Sequence, residues 1–372
     1  MDLGTGLERY AERDWQTTTE GTVRLALIGL GWWTVDVAIP AIEDSDLCET
    51  TVLVSSSTEK ARRLADEHGA ERGLTYDEYH DGAAVDAYDA VYVGTPNAFH
   101  LEYVETAADH DKAVLCEKPL EANVERAEKL VSAAEDAEIP LMTAYRMHTE
   151  PAVRRAKELV ESGFIGDPVH VYGNNTQPVL EMIPDPDQWR LNPDVTGYGT
   201  SVMDLGIYPI NTARFVLGRD PVDATARMRS EHDAFADVPD EFASFTLTLE
   251  GGIPLSCTAS QNAQADTHLK IVGTEGQLEL SPAFHGEATL HVSKGSLRAE
   301  IEDVDFEATE EMREEFDYFA DRVLTGGNIR PDGRHGLEDM RTIEAIHEAA
   351  DRGETIDIEG ASDTGTEDDI ER

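Results

Sequence analysis

The chain has 372 residues, of which 40% are hydrophobic and 28% are charged. This length exceeds one ordinary core of roughly 100–200 residues, and the apolar content excludes a mainly disordered chain, so we expect two domains. No apolar run approaches the ~18 residues that span a bilayer, and residues 1–22 form a short N-terminal extension unlike a secretory signal peptide. Three cysteines without metal-ligand spacing predict reduced thiols in a cytoplasmic protein and no metal site.

Acidic residues number 76 against 30 basic ones, which gives a net charge of −46. A surface this negative repels nucleic acid and anionic lipid, so both are excluded as partners. The acids are spread along the whole chain, and only seven residues are lysine. We interpret this composition as adaptation to a salt-saturated cytoplasm, because salt screens the self-repulsion. A generally acidic mesophilic protein is the alternative, which the depletion of lysine disfavours.

From residue 23 to residue 143, short apolar strands alternate with helical segments. The predicted strands are 23–28, 51–54, 89–93, 113–116 and 140–143. The predicted helices are 35–42, 60–68, 101–109 and 124–137. Strands separated by helices of this length form βαβ units, which place a parallel sheet between two helical layers. We therefore predict an α/β Rossmann domain over residues 23–146.

Residues 147–359 follow a different pattern and are predicted to form a second, α+β domain. After a helix at 150–162, strand-type alternation runs from 169 to about 301, as in 242–249 and 270–280, with one clear helix at 201–217. Successive strands without crossover helices indicate a largely antiparallel sheet. Helices at 309–324 and 336–350 close the fold, and their packing against the Rossmann domain is left open. The polar, acidic tail at 360–372 is expected to be disordered.

The first predicted strand runs into Gly29-Leu-Gly31-Trp-Trp-Thr34. In a dinucleotide fold the first glycine makes the tight turn, the second lets the pyrophosphate approach, and the next helix directs its free N–H groups at the phosphate. Thr34 stands where the third glycine or alanine is usual. The position between the first strand and the first helix of a βαβ series strengthens the interpretation.

The end of the second strand indicates the type of cofactor. NAD enzymes usually place an acid here, whereas this chain has Ser55, Ser56 and Ser57, with Lys60 nearby. Hydroxyl groups and cations, including Arg62 and Arg63, suit a 2′-phosphate, so we predict NADP rather than NAD. A serine or threonine that caps the following helix explains the same residues, and both interpretations can hold.

Two polar clusters follow strand ends, where an open α/β sheet binds ligands. The first is 94–100, with Thr95, Asn97 and His100, and the second is Glu117-Lys118-Pro119. Lys118 directly follows an apolar strand, where burial makes an ammonium ion costly. The alternative is an ordinary surface lysine in a loop.

Four motifs occur in a fixed order along the chain. They are Gly29-x-Gly31, Thr95-Pro96-Asn97-x-x-His100, Glu117-Lys118-Pro119 and Asp204-x-Gly206-x-Tyr208. With them, residues 23 to about 359 resemble the glucose–fructose oxidoreductase / inositol dehydrogenase / MocA (GFO/IDH/MocA) family. This family pairs a Rossmann domain with a domain built on an open, mainly antiparallel sheet.

Tyr208 and Asn211 stand where inositol-dehydrogenase-like members have histidine and often aspartate. Tyr208, together with Trp189-Arg190 ahead of Gly197-Tyr-Gly199, is similar to the tyrosine branch, which oxidises sugars. The resemblance implies NADP-dependent oxidation of an aldose at C1, with D-xylose giving xylonolactone, by a homodimer or homotetramer.

The resemblance also implies site residues. The cofactor contacts would be Gly29, Gly31, Trp32, Trp33, Ser55, Ser56, Lys60, Thr95, Asn97, His100, Glu117, Lys118 and Arg146. The sugar contacts would be Lys118, Trp189, Arg190, Asp204 and Tyr208.

Asp204 and Tyr208 are four residues apart and share one face of a helix. Oxidising a sugar hydroxyl needs a proton acceptor, and an ammonium group beside a phenol favours the phenolate. We therefore expect Tyr208 to be the base, Lys118 its electrostatic activator and sugar anchor, and Asp204 the residue that orients Lys118 or a sugar hydroxyl. The alternative for Tyr208 is a half-buried packing residue.

Two other functions stay open. One is another reaction of the tyrosine branch, either dihydrodiol oxidation or aldose–ketose exchange with tightly held NADP. The other is a non-catalytic NADP-binding regulator, which the joint presence of Lys118 and Tyr208 disfavours.

Overall fold

The computed structural model describes residues 15–16, 19–286, 288–295, 300–304 and 310–358. The tail predicted at 360–372 lies outside the described residues, as does the N-terminal extension apart from 15–16 and 19–22. Within the described residues the chain forms one sheet of six strands and one of nine.

The six-stranded sheet is wholly parallel. Its strands are β1 (Val23–Ile28), β2 (Cys48–Val54), β3 (Arg72–Leu74), β4 (Ala90–Val93), β5 (Ala113–Glu117) and β6 (Leu141–Ala144), in the order β3-β2-β1-β4-β5-β6. The chain direction across the sheet reverses between β1 and β4. In such a fold, ligands bind in the crevice at the carboxyl ends of the strands at this point.

Helices cover both faces of this sheet. They are α1 (Ile39–Glu43), which continues a π-helical turn at Thr34–Ala38, α2 (Thr58–His68), α3 (Tyr76–His80), α4 (His100–Asp109) and α5 (Val124–Asp136). Successive side chains of a strand point to opposite faces, so Leu25 and Leu27 enter one core cluster and Ala26 and Ile28 the other.

The second sheet begins after α6 (Pro151–Glu161). Its elements are β7 (Pro168–Pro178), α7 (Val179–Met182), α8 (Pro193–Thr196), α9 (Ile207–Leu217), β8 (Pro221–Arg229), β9 (Phe242–Leu249), β10 (Ile253–Ser260), β11 (Asn262–Gly273), β12 (Gly276–Leu280), β13 (Leu290–Lys294), β14 (Glu300–Val304), α10 (Glu311–Thr325), α11 (Gly333–Arg352) and β15 (Ile356–Asp357). The order is β14-β13-β12-β11-β7-β10-β9-β8-β15, and among these described strands all neighbours are antiparallel except β7 and β10.

Helices α6 and α9 pack on one face of the second sheet, and no helix in the described part of the chain covers the opposite, open face. Along β9, Phe245 and Leu247 are buried under the helices, whereas Ser244 and Thr246 line the open face. The two closing helices return to the first domain. Phe316 of α10 joins the cluster that contains Leu25, and α11 packs on α5 and β8.

The structure corrects several predicted elements. The short β3 and α3 were not predicted, because three to five residues carry no readable periodicity. The alternation at 270–280 is not one strand, since a turn at Thr274 and Glu275 separates β11 from β12. The short helices α7 and α8 also interrupt the second domain, where the sequence indicated one helix. The domain boundaries at 146 and 147 stay a prediction.

Candidate active site

The loop after β1 has two glycines that are needed for different reasons. Gly29 has φ +89°, and a Cβ there would lie 2.7 Å from Thr95 Cγ2 and 2.9 Å from the backbone of Gly94, so the turn itself requires glycine. A Cβ at Gly31 would meet no described atom within 4 Å. The protein's own packing therefore leaves room at Gly31 for a ligand to approach the backbone, as a pyrophosphate does. Thr34 closes the loop by donating its hydroxyl to the Gly29 carbonyl at 2.6 Å.

The end of β2 contains both features that the sequence suggested. Ser57 caps α2, since its Oγ accepts from the Lys60 backbone N–H at 3.2 Å, and this leaves Ser55 and Ser56 for other contacts. Ser55 is buried, and Ser56 is exposed. The Lys60 ammonium donates to the Leu30 carbonyl, which brings a cation to the glycine loop.

The two arginines that the sequence grouped with Lys60 take other positions. Arg63 pairs with Glu67 at 2.8 Å along α2, and Arg62 is exposed. Among the predicted cations, Lys60 is therefore the one that the structure brings to the loop of Gly29 and Gly31.

Of the polar residues after β4, two line the cleft and one holds neighbouring loops together. Thr95 and Asn97 line the cleft, and the Thr95 hydroxyl is buried without a hydrogen-bond partner among the described residues. Asn97 Nδ2 donates to the Thr196 carbonyl at 2.9 Å. His100 is buried, and its ring nitrogens lie 2.8 Å from the Thr95 carbonyl and 3.1 Å from that of Leu120. His100 therefore holds two loops together and does not line the cleft.

Glu117 is fixed at the floor of the cleft by three donors. Its Oε1 accepts from Trp33 Nε1 at 3.1 Å and from the Tyr92 hydroxyl at 2.7 Å, and its Oε2 accepts from the Lys118 N–H at 3.2 Å. These contacts tie the glycine loop to the end of β5. Trp32, by contrast, is 49% exposed at the mouth of the cleft.

Lys118, Asp204 and Tyr208 meet in one partly buried group that lines the cleft. Lys118 Nζ donates to the carboxylate and to the backbone carbonyl of Asp204, both at 3.0 Å, and lies 4.6 Å from the centre of the Tyr208 ring. The second carboxylate oxygen of Asp204 accepts from Arg190 Nε at 3.1 Å and from Gln261 Nε2 at 2.9 Å. Arg190 also stacks on Trp189, with its guanidinium 4.6 Å from the ring centre.

A second cation contacts the phenol oxygen directly. Arg146 Nη2 donates to the Tyr208 hydroxyl at 3.2 Å, and its guanidinium lies 5.4 Å from the Tyr208 ring centre. The phenol oxygen is therefore contacted by Arg146, while Lys118 lies over the ring face. The sequence placed Arg146 among the cofactor contacts, and the structure adds this contact with Tyr208.

The charges of the group are set by its neighbours. Burial would lower the pKa of Lys118, but Tyr208, Asp204 and Glu117 outweigh it and raise that pKa above the usual value. Burial would raise the pKa of Asp204, but Lys118 and Arg190 outweigh it and lower that pKa. Lys118 is thus an ammonium and Asp204 a carboxylate at neutral pH. The sequence argument that burial makes the ammonium costly is correct in direction and too weak to decide the charge.

Comparison with known proteins follows the same division of the chain. A family model described as "Oxidoreductase family, NAD-binding Rossmann fold" matches residues 23–145, and one described as "GFO/IDH/MocA C-terminal domain" matches residues 153–279. The chain is 52% identical over 355 residues to D-xylose 1-dehydrogenase [NADP(+)] of Haloarcula marismortui, covering 94% of this chain and 98% of that protein. This protein belongs to the GFO/IDH/MocA family. The resemblance carried by the motifs and the fold class predicted from the pattern of strands and helices are confirmed.

Two further members of the GFO/IDH/MocA family extend the comparison. D-xylose 1-dehydrogenase (NADP(+)) 2 of Haloferax volcanii is 32% identical over 341 residues, covering 90% of this chain and 98% of that protein. The crystal structure of aldose-aldose oxidoreductase from Caulobacter crescentus, complexed with glycerol, is 28% identical with a TM-score of 0.83. That match covers 90% of this chain and 99% of the other. The chain is thus an oxidoreductase of this family along nearly its whole length.

Several cleft residues of this family member were not found by sequence reasoning. They are Gln177, Val179, Met182, Ile183 and His285, with Gln261 buried behind Asp204. Burial, reinforced by Arg146 and Lys118, lowers the pKa of His285 to about 4, so its ring is neutral and its Nδ1 accepts from Arg146 at 3.2 Å. These residues come from β7, α7 and the residue after it, the link between β10 and β11, and the loop before β13, and no local motif marks them. An uncharged glutamine or a single histidine in a loop gives no signal without the fold.

Proposed function

We propose that this protein oxidises D-xylose at C1 with NADP as the hydride acceptor, giving xylonolactone. The observation that carries the proposal is the partly buried group of Lys118, Asp204 and Tyr208 in the cleft, beside a glycine loop at the reversal of a Rossmann sheet. The similarity to the D-xylose 1-dehydrogenases of Haloarcula marismortui and Haloferax volcanii supports the substrate and the cofactor.

The residues at the carboxyl ends of the first sheet fit NADP. Gly31 leaves its backbone open, and the buried Thr95 hydroxyl has no partner among the described residues. No carboxylate follows β2 where an NAD enzyme usually has one, and Lys60 supplies a cation at the Leu30 carbonyl of the glycine loop. When bound, the nicotinamide accepts the hydride from C1 of the sugar.

In this proposal, Tyr208 takes the proton of the anomeric hydroxyl. A free phenol is a weak base at neutral pH. Here Lys118 lies over the ring and Arg146 donates to the oxygen, where the two positive charges are placed to stabilise negative charge on that oxygen. Asp204 holds the Lys118 ammonium in place and is itself held by Arg190 and Gln261. Glu117 accepts a hydrogen bond from Trp33 beside the cleft. In this proposal Tyr208 and Lys118, and not Glu117, contact the reacting atoms of the sugar.

The open face of the second sheet supports an oligomer. It is lined by polar and β-branched side chains, and Tyr172 on it is 45% exposed. We place a second copy of the chain on this face, in a homodimer or homotetramer. No helix in the described part of the chain is long and apolar enough to cross a membrane, and we propose that the enzyme works in the cytoplasm.

The test is a steady-state assay in molar KCl with a panel of aldoses and with NADP or NAD. The proposal expects NADPH formation with D-xylose at a higher kcat/KM than with glucose or with NAD. Tyr208→Phe keeps the ring and loses the hydroxyl, so it should bind NADP and turn over at least about 10²-fold more slowly. Lactone formed together with reduction of a second sugar, without release of NADPH, would instead show exchange between two sugars. A protein that binds NADP and oxidises no aldose would contradict the proposal.

A further inference from the structure

Arg146 joins four parts of the chain around the phenol of Tyr208. Besides the Tyr208 hydroxyl, its Nη2 lies 2.7 Å from the Phe284 carbonyl and 3.2 Å from His285 Nδ1, so three acceptors share its two N–H groups. Its Nη1 pairs with the carboxylate of Glu311, the first residue of α10. The guanidinium also lies 5.7 Å from the Trp33 ring centre.

The pair of Arg146 and Glu311 is shielded from water, because each side chain is only 11% exposed. An ion pair in such a position is held in one geometry and is little screened by salt, unlike a surface pair. Glu311 lies 165 residues from Arg146 in the sequence. It reaches the active site because α10 packs back on the first domain through Phe316 and Phe319.

We infer that Glu311 is a positioning residue for the base: it orients Arg146 so that Nη2 donates to the phenol oxygen of Tyr208. This inference deepens the proposed function and depends on Tyr208 being the base. Through Glu311, helix α10 contributes to the surroundings of the Tyr208 phenol, although it lies more than 100 residues after Tyr208 in the sequence. Without Glu311, the guanidinium keeps its bonds to Phe284 and His285 and loses the anion that fixes its orientation towards the phenol.

Glu311 could act on Tyr208 through its charge alone or by orienting Arg146, and the two possibilities shift the pH profile in opposite directions when Glu311 is removed. The groups that face Tyr208 or Arg146 are Lys118 directly after β5, Asp204 from the turn before α9, His285 from the loop before β13, and Glu311 and Glu315 from α10. Removing an anion by charge alone would favour the phenolate and move the acidic limb of the pH profile to lower pH. Losing the hydrogen bond from Arg146 disfavours the phenolate and moves the limb to higher pH.

The experiment measures kcat/KM for D-xylose against pH, with saturating NADP and molar KCl, in the wild type and in Glu311→Gln. We expect the acidic limb of Glu311→Gln to move up by about one pH unit, which lowers kcat/KM about tenfold at pH values below the limb. Arg146→Met should show the same or a larger shift. Adding Glu311→Gln to Arg146→Met should change kcat/KM less than about twofold, because the two residues act through one contact.

Two further variants separate positioning from charge. Glu311→Asp keeps the anion and is one methylene shorter, so it should resemble Glu311→Gln if reach matters. Glu310→Gln, an exposed neighbour at the start of α10, should leave the profile unchanged. NADP affinity and the thermal midpoint are measured for each variant to verify that it is folded.

A limb that is unmoved or moves to lower pH in Glu311→Gln would overturn the inference, as would effects of Glu311→Gln and Arg146→Met that multiply in the double variant. If the inference about Glu311 fails in this way, the proposed function is still supported as long as the wild type oxidises D-xylose and Tyr208→Phe is impaired. Absence of xylose oxidation in the wild type would instead contradict the proposed function itself.

Discussion

The ammonium group of Lys118 is the cation closest to the ring face of Tyr208 among the charged groups described there. Its removal leaves the Asp204 carboxylate with Arg190 and Gln261 and takes the positive charge from beneath the phenol. We expect Lys118→Ala to lower turnover with D-xylose by about 10²-fold or more, the scale of losing positioned electrostatic or acid–base assistance. NADP affinity should change far less, because the glycine loop and the end of β2 remain.

The matched control for Lys118→Ala is Lys129→Ala, which removes an exposed lysine paired with Glu125 on α5. It should leave kcat and NADP affinity unchanged. If Lys118→Ala kept near-normal turnover, or lost NADP affinity in proportion to turnover, Lys118 would have no place in the chemical step.

Ser55 is the residue at which the choice between NADP and NAD can be tested. It is buried at the end of β2, and its Oγ accepts from the Ser57 N–H at 3.3 Å. A carboxylate here would lie where NAD enzymes hold the ribose hydroxyls and would repel a 2′-phosphate. We expect Ser55→Asp to lower kcat/KM for NADP by more than about tenfold and to raise the ratio for NAD over NADP.

Ser55→Asn is the control, since it has nearly the size of aspartate without the charge. It should change the cofactor ratio much less than Ser55→Asp does. Equal ratios in the two variants would mean that Ser55 lies away from the ribose, and NADP selection would then depend on Lys60.

Regular elements were predictable where burial repeats over enough residues. The strand at 242–249 agrees with β9, because alternate residues such as Phe245 and Leu247 face the helices. The motif residues Lys118, Asp204 and Tyr208 were expected in one site, and the structure brings them together. Contacts made by a single side chain across long stretches of sequence were not predictable. Glu311 is one acid among 76, and nothing local distinguishes it from a solvated residue.

A buried polar network joins the turn after β6 to α9 and α11. His148 Nε2 lies 2.7 Å from Asn211 Oδ1, and Asn211 Nδ2 donates to Asp339 Oδ2 at 2.7 Å. Arg214 pairs with Asp339 at 2.5 Å. Burial, with Lys157 and Arg214 adding to it and the Asn211 bond opposing it, lowers the pKa of His148 to about 3. His148 is therefore neutral where the turn after β6 meets α9 and α11.

Because folded His148 stays neutral, the free energy of unfolding should decrease as the pH falls below the pKa of an unfolded histidine. An unfolded histidine binds a proton below about pH 6.5, whereas folded His148 does so only near pH 3, so the unfolded state is favoured progressively as pH falls between these values. Each such group contributes at most about 1.4 kcal/mol per pH unit. We expect the free energy of unfolding, from urea titrations in molar KCl, to fall between about pH 6.5 and 5.

The slope of that fall is compared between the wild type and His148→Asn. The variant should lose absolute stability and show a smaller slope, because one buried proton-binding site is gone. His170→Asn, on β7 beside Tyr172, is the control and should keep the wild-type slope. An unchanged slope in His148→Asn would show that His148 is not protonated on unfolding in this range.

At the scale of the whole molecule, the 30 basic residues can neutralise fewer than half of the 76 acids. Five of the seven lysines are already paired with carboxylates, among them Lys129 with Glu125 and Lys270 with Glu279. The remaining carboxylates repel one another across a compact surface, and unfolding separates them. The relatives from Haloarcula marismortui and Haloferax volcanii agree with salt adaptation.

Salt should therefore stabilise the folded chain by screening. The Debye length falls from ~10 Å at 0.1 M to ~3 Å at 1 M ionic strength, so most carboxylates that are not in contact stop repelling. We expect the midpoint of thermal unfolding to rise steeply from dilute buffer to molar KCl, with activity following the folded fraction. The apparent KM for NADP should rise over the same range, because salt also screens Lys60.

Potassium sulfate at equal ionic strength separates two causes of a rising midpoint. Equal midpoints in the two salts indicate screening, and a higher midpoint in sulfate indicates strengthened apolar burial. A midpoint that is flat across the KCl series would contradict salt adaptation, and the acidic surface would then need a basic partner to explain it.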